Sequence, residues 1–204
     1  MNFVTPKEVG YLPQILKARS FLQLELSDRQ KQILIGSVLG DAYIYPLGKV
    51  QFEQSEKQKD YLFWKYEEFK NLAYGEPSKV IRTDKRTGQK YSSHRFWLRQ
   101  YFRPWREIFY KGKMKIFPEW LELTPISLSV WYGDDGCFSD GTCTISTESF
   151  NNDSLKIIQQ KLGNLELETW IRSNGKLGIR SSSHKRFSDL IRSEIHPSLQ
   201  YKIP

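Results

Sequence analysis

Two cysteines, three histidines and the want of any long apolar run set the first limits on this chain of 204 residues. Cys137 and Cys143 have no Cys or His cluster at metal-ligand spacing around them, so both read as reduced thiols. His94, His184 and His196 are scattered, which leaves neither a zinc site nor a His-centred nuclease motif. No stretch approaches the roughly 18 to 20 consecutive apolar residues that span a bilayer. The opening residues, MNFVTPKEVG, lack a basic segment followed by an apolar run, so no membrane anchor and no secretory signal are expected. An organelle-targeting peptide would be rich in arginine, whereas the first twenty residues carry only Lys7, Lys17 and Arg19. The expected setting is intracellular: a mitochondrion or chloroplast if the gene is carried there, otherwise the cytoplasm.

What is present supports a packed protein. Hydrophobic residues make up 39% and aromatics 14%, enough for a core in one domain or in two intimately packed halves, while 26% charged residues keep the surface wet. The formal net charge is +8 with a pI near 9.4. Such an excess favours a polyanionic partner, because binding phosphates releases condensed counterions, and nucleic acid heads that class. Charge alone does not decide it, since many basic proteins simply carry solvated basic faces.

Pattern supplies the rest. Residues 26–41, LSDRQKQILIGSVLGD, start with a Ser27 or Asp28 N-cap signal, continue as an amphipathic and then wholly apolar helix, and end in Gly40-Asp41. Residues 123–136, LTPISLSVWYGDDG, repeat the plan: Thr124 caps, Pro125 suits the first turn, and an apolar run leads to Gly133-Asp134-Asp135. Either copy alone would pass for a core helix closed by a capping aspartate. Both carry small residues, Gly36, Ser37 and Gly40 in one, Ser127, Ser129 and Gly133 in the other. Close packing along Gly36/Gly40 and Ser129/Gly133 would set the terminal aspartates side by side, a geometry that builds a metal site.

The segments that follow also match. Ser55 stands 14 positions after Asp41, and Ser149 the same 14 after Asp135. Strands are predicted at 43–45 and 50–55 around Pro46-Leu47-Gly48, and at 137–139 and 143–146 around Asp140-Gly141. Helices follow at 58–73 and 152–165, then strands at 79–82 with 91–98 and at 168–172 with 176–179, and closing helices at 105–110 and 186–195. Each half therefore reads helix, two strands, helix, two strands, helix, as in a diverged internal duplication. Alternation puts Gln51, Glu53 and Ser55 on one strand face; Thr142, Thr144 and Ser146, and Tyr91, Ser93 and Arg95, form similar polar series. Such faces suit strands laid in a major groove, and equally an ordinary solvent face. Residues 83–92, TDKRTGQKYS, are basic and Gly-containing, and are expected to order on DNA or to remain a mobile hairpin tip.

The strings LIGSVLGDA at 34–42 and LSVWYGDDG at 128–136 resemble the two motifs of the LAGLIDADG homing endonucleases, with Asp41 and Asp135 at the acidic eighth position. GDAYI at 40–44, QFE at 51–53 and LTPISL at 123–128 further resemble the monomeric, omega-intron type. Departures exist: the motif alanine is Gly40 in one copy and Asp134 in the other, and the last glycine of the first copy is Ala42. The resemblance implies an α+β fold of two pseudosymmetric αββαββα halves. Their antiparallel sheets would form a DNA-binding saddle, with the two motif helices packed at the centre. The halves are expected at 24–118 and 119–204, after an N-terminal extension at 1–23.

The same resemblance implies a double-strand DNA endonuclease that cuts a long site with Mg²⁺, where Mn²⁺ substitutes and Ca²⁺ binds without supporting cleavage. Asp41 and Asp135 would be the metal ligands, aided by the carbonyls of Gly40 and Asp134, with the Asp134 carboxylate the rival of Asp135. Lys115 in KIFP and Lys202 in the terminal KIP would polarise the attacking water or the phosphate, or else only grip phosphate, and Gln51 would serve the solvent network near the active site. DNA contacts are expected from Tyr43, Lys49, Gln51, Glu53, Ser55, Arg82, Lys85, Arg86, Lys90, Ser93, Arg95, Thr142, Thr144, Ser146, Arg172 and Lys176. Duplex DNA is the expected partner, with no obligatory protein partner and no membrane. Two alternatives stay open: a maturase that binds its intron RNA, and a DNA-binding regulator without catalysis, which loss of Asp41 or Asp135 would favour. A polymerase-like reading of the GDD at 133–135 fails, because an apolar helix precedes it.

Overall fold

The structure, a computed structural model, describes residues 25–99 and 102–204; the expected extension at 1–23 lies outside them. The first half runs α1 (Asp28–Leu39), β1 (Tyr43–Ile44), β2 (Val50–Ser55), α2 (Lys59–Glu68), β3 (Ser78–Thr83), β4 (Lys90–Leu98) and α3 (Arg103–Phe109). A short hairpin, β5 (Tyr110–Lys111) and β6 (Met114–Lys115), follows. The second half runs α4 (Pro125–Asp135), β7 (Gly136–Ser139), β8 (Thr142–Ile145), α5 (Asn152–Gly163), β9 (Thr169–Ile171), β10 (Leu177–Ile179) and α6 (His184–Ile191). The αββαββα plan is thus present twice. Both sheets are antiparallel with one strand order, β1-β2-β4-β3 and β7-β8-β10-β9, as an internal duplication requires.

Local chemistry fixes where the motif helices start. The Ser27 hydroxyl accepts from the Gln30 amide at 3.1 Å while the Gln30 side chain accepts from the Ser27 amide at 3.0 Å, so Ser27 rather than Asp28 caps α1. Thr124 and Ser127 form the equivalent box on α4, with Pro125 in the first turn, where its missing N–H costs nothing. Each cap is worth about 0.5–2 kcal/mol. The apolar runs that follow are buried, Ile33 to Leu39 in α1 and Ser127 to Asp134 in α4.

The described residues divide into two compact units, one of 25–30 with 42–99 and 102–107, the other of Lys31–Asp41 with Ile108–Pro204. The linear boundary expected at 118/119 is therefore not the one the contacts draw. The first motif helix belongs for most of its length with the second, and so does the β5–β6 hairpin. In the first unit α2 packs on the sheet through Tyr66 and Phe69, against Phe52 and Phe96, which stack at 4.7 Å between ring centroids. In the second, Tyr132 of α4 meets Phe187 of α6 edge-on at 4.8 Å.

The 83–92 segment is a hairpin tip: β3 and β4 pair from Ser78↔Arg95 out to Thr83↔Lys90, which leaves residues 84–89 as the turn. The tip is closed by the Asp84 carboxylate, which accepts from the amides of Arg86 at 2.7 Å and Thr87 at 3.2 Å. The β5–β6 hairpin was not expected, since two-residue strands leave no alternation to read. Among the described residues no helix is long and apolar enough to cross a membrane.

Candidate active site and nucleic-acid face

Gly36 of α1 and Gly40, just past its end, meet α4 at distances that admit no side chain. A Cβ on Gly36 would lie 2.4 Å from the Ser127 carbonyl oxygen and 2.7 Å from the Val130 Cβ; one on Gly40 would lie 2.5 Å from the Asp134 Cβ. The small residues of α1 therefore work as expected, but against different partners than Ser129 and Gly133. The Ser129 hydroxyl instead donates to the Ile126 carbonyl within α4 at 2.9 Å.

This approach gathers the acidic ends of the helices. The Asp41 amide donates to the Asp134 carboxylate at 3.3 Å. Burial pushes the Asp135 carboxyl up to about 7, and the neighbouring Asp41 and Asp134 carboxylates push it the same way. Asp41 itself is solvent-exposed. Three carboxylates in one field, one of them reluctant to ionise, favour added positive charge.

Two lysines stand at this site. Lys115, at the end of β6, donates to the Gly40 carbonyl, and Lys202, in the closing turn Pro197–Lys202, donates to the Gly133 carbonyl at 2.7 Å. Burial lowers the pKa of each, while the surrounding aspartates partly oppose that shift. Lys202 is held from behind: the Tyr132 hydroxyl donates to its carbonyl at 2.6 Å and accepts from the buried Cys143 thiol at 3.4 Å. The sequence reading missed Tyr132, and its neighbouring Gly-Asp-Asp gave no hint that its hydroxyl faces the chain terminus. The acceptor of Lys202 is the Gly133 carbonyl, and the Asp134 side chain enters the site through its bond from the Asp41 amide.

The donors here are all hard oxygens, two or three carboxylates and main-chain carbonyls, the set that suits a hard divalent cation retaining several waters. Among the described residues no group of three His, Cys, Asp or Glu side chains is placed to hold a metal ion, so a cation here would rest on two carboxylates, main-chain carbonyls and its own waters.

The sheet of the first unit presents its expected polar face. Val50, Phe52 and Gln54 are buried, whereas Gln51 and Glu53 are half-buried and Ser55 exposed on the other side. Register extends this face with Tyr43 opposite Gln51, and with Tyr91, Ser93, Arg95 and Trp97 on β4. Trp97 was missed, although it continues the odd-numbered series from Tyr91. Its ring lies under Lys49 at 4.4 Å and Arg95 at 4.7 Å, beside a groove of about 520 Å³ lined also by Tyr45, Pro46, Leu47 and Gln51. Gln51 accepts from the Tyr45 hydroxyl at 2.9 Å and donates to Glu53 at 3.1 Å. Lys85, Arg86 and Lys90 are exposed at the β3–β4 tip.

In the second unit Thr142 and Ser146 are half-buried, but Thr144 is 8% exposed, against its expected role as a groove contact. The row Cys137, Thr144, Gly178, Trp170 explains it: a Cβ on Gly178 would sit 2.4 Å from the Trp170 ring, so the indole lies across the glycine gap beside Thr144. Arg180 in turn covers Trp170 at 5.3 Å. Arg172 is exposed, and Lys176 lies 3.8 Å from Glu148.

The model of the LAGLIDADG DNA endonuclease family matches residues 31–187, and the chain belongs to that family. It is 27% identical over 205 residues to a protein RecA of Mycolicibacterium flavescens, covering 87% of this chain and 47% of that protein. It is 25% identical over 197 residues to the cytochrome b mRNA maturase bI2 of Saccharomyces cerevisiae, covering 84% of this chain and 46% of the maturase. The chain thus spans about half the length of the curated relatives it matches. The homing endonuclease I-WcaI, solved bound to its DNA recognition sequence, superposes with a TM-score of 0.82 at 23% identity over 96% of this chain and 95% of that one. The fold is shared with that protein.

Proposed function

We propose that the chain is a site-specific homing endonuclease that makes a double-strand break in a long DNA duplex. The observation that carries this reading is the convergence of Asp41, Asp134 and Asp135 where α1 and α4 meet, with the half-buried Lys115 and the buried Lys202 each on the main chain of one motif. Asp41 and Asp135, with the Gly40 and Asp134 carbonyls beside them, would hold Mg²⁺, for which Mn²⁺ substitutes, and Ca²⁺ would bind without supporting cleavage. A cation held there would supply Lewis-acid chemistry, activating water and stabilising the leaving oxygen on each strand.

The chain's own groups do the remainder. The raised Asp135 carboxyl gives up its proton when positive charge arrives, and Lys115 and Lys202, loosened by burial, orient water or steady the phosphate as charge develops. Gln51, on its own sheet, would order solvent. The outward rows with Tyr43, Lys49, Gln51, Ser55, Arg82, Ser93 and Arg95, and with Thr142, Ser146, Arg172 and Lys176, would meet base edges and phosphates; Lys85, Arg86 and Lys90 would extend the grip. Both motifs lie in one chain, which supports action as a monomer wherever in the cell its DNA lies, organelle included.

A second reading, binding of intron RNA, is favoured only by the likeness to the yeast maturase. Incubation of a randomised duplex library with the protein and Mg²⁺ tests the first: cut ends from one long sequence support it. Binding without cutting would turn the reading to a regulator or maturase, with intron RNA as the next ligand.

A further inference from the structure

On the outward face of the first sheet, register brings together Gln51 with Trp97, Glu53 with Arg95 and Ser78, Ser55 with Ser93 and Val80, and Tyr91 with Arg82. Among the described residues, Glu53 is the one carboxylate in these rows. On a face meant for DNA a carboxylate is a liability, since it repels phosphates and the acceptor edges of guanine and thymine.

Its hydrogen bonds account for its presence. Arg82 lies back along the face and grips Glu53 with both terminal nitrogens: Nη1 donates to Oε1, and Nη2 to Oε2 at 2.9 Å. Ser93 donates to Oε1 at 2.6 Å and Gln51 to Oε2 at 3.1 Å, so four donors fill the roughly four acceptor positions of a carboxylate. Nη1 also donates to the Ser93 hydroxyl at 3.2 Å. Glu53 has no acceptor capacity left to offer a base, and its pKa is lowered chiefly by the Arg82 hydrogen bond, which keeps it ionised.

Arg82 does have capacity left. Of its five N–H groups, three are engaged by Glu53 and Ser93; the Nε–H and the second Nη2–H share the other edge of the guanidinium plane, and Arg82 is exposed. Two parallel donors on one rigid edge match the O6 and N7 acceptors of guanine in the major groove. We propose that Arg82 is a specificity-determining residue that reads a guanine through this edge, and that Glu53 is the positioning residue that fixes its guanidinium. This rests on the DNA-binding reading above and adds to it a named base and a residue acting through another. A lysine at 82 would keep the charge and lose the fork; a glutamine at 53 would keep the shape and loosen the hold.

The test is selection of bound duplexes from a randomised library in metal-free buffer, so that it does not depend on cutting, with the wild type, Arg82→Lys and Glu53→Gln. The wild type should require guanine at one position that Arg82→Lys relaxes about ten- to hundredfold, leaving the other positions unchanged. Glu53→Gln should relax the same position. A preferred site without that guanine, an even loss of affinity across all sequences for Arg82→Lys, or a Glu53→Gln effect at another position would overturn the proposal while leaving DNA recognition intact. If the wild type recovers no preferred sequence, the DNA reading itself falls and takes the proposal with it. Should Glu53→Gln fail to fold, Arg82→Lys, whose side chain is exposed, still decides.

Discussion

Alanine at position 36 puts the helix contact under direct strain. In an isolated helix Gly→Ala gains about 1 kcal/mol. At Gly36 the added methyl would lie 2.4 Å from the Ser127 carbonyl oxygen and 2.7 Å from the Val130 Cβ, and the first of these is backbone, which cannot swing aside. Relief requires α1 and α4 to part by a sizeable fraction of an ångström, and overpacking of that kind costs about 1–3 kcal/mol, occasionally more. The net expectation is a loss of up to about 2 kcal/mol, or up to roughly 8 °C in Tm for a chain of this size. Misplacing the aspartates by about 1 Å would in addition lower cleavage by about a hundredfold. Gly163→Ala is the matched control, since nothing lies within 4 Å of the added atom and the same propensity gain goes unopposed. Thermal melts of the two variants decide: if Gly36→Ala melts as high as Gly163→Ala, the two helices are not packed as described.

Four further outcomes follow from the site. The Asp135 carboxyl, raised to about 7 from an ordinary 3.8, binds its proton more tightly in the folded than in the unfolded state. Its contribution is therefore fullest below the ordinary value and lost as pH rises through 7, so the metal-free Tm should fall between pH 5 and 8; a rise over that window counts against the raised carboxyl. For the same reason Ca²⁺ affinity, measured by calorimetry, should strengthen by up to about tenfold per unit as pH climbs toward 7, and a flat profile would argue against Asp135 as ligand. Asp135→Asn removes the charge that burial and its neighbours oppose, so at pH 8 it should melt above the wild type without metal while losing activity; a lower Tm would speak against that repulsion. Tyr132→Phe leaves the Lys202 carbonyl without its donor at a cost of about 1–3 kcal/mol, and denaturant titration showing no loss would contradict the contact.

Much of the fold was legible because the duplication could be read against itself. Asp41 and Asp135 keep one spacing to Ser55 and Ser149, Ser27 and Thr124 each cap a motif helix, and strand alternation in VQFEQS gave the correct outward face. Asp41, Asp135, Lys115 and Lys202 were legible as resemblance, and the structure brings all four into one unit. What stayed hidden depends on side chains that reach across the sequence. Nothing in the sequence tells that Trp170 covers Gly178 and hides Thr144, or that Asp134 reaches back to the Asp41 amide. The unit boundary escaped for a related reason, because Gly36 binds α1 to α4 more closely than chain order suggests.

The central claim is that Asp41 and Asp135 together make one cutting centre for two strands. Its most direct test is conversion of a supercoiled plasmid carrying the selected site, in Mg²⁺, by the wild type, Asp41→Asn and Asp135→Asn, with duplex affinity measured in parallel. The account predicts that the wild type linearises the plasmid, and that neither variant does so while both still bind the site. Linearisation by either variant at the wild-type rate would contradict it.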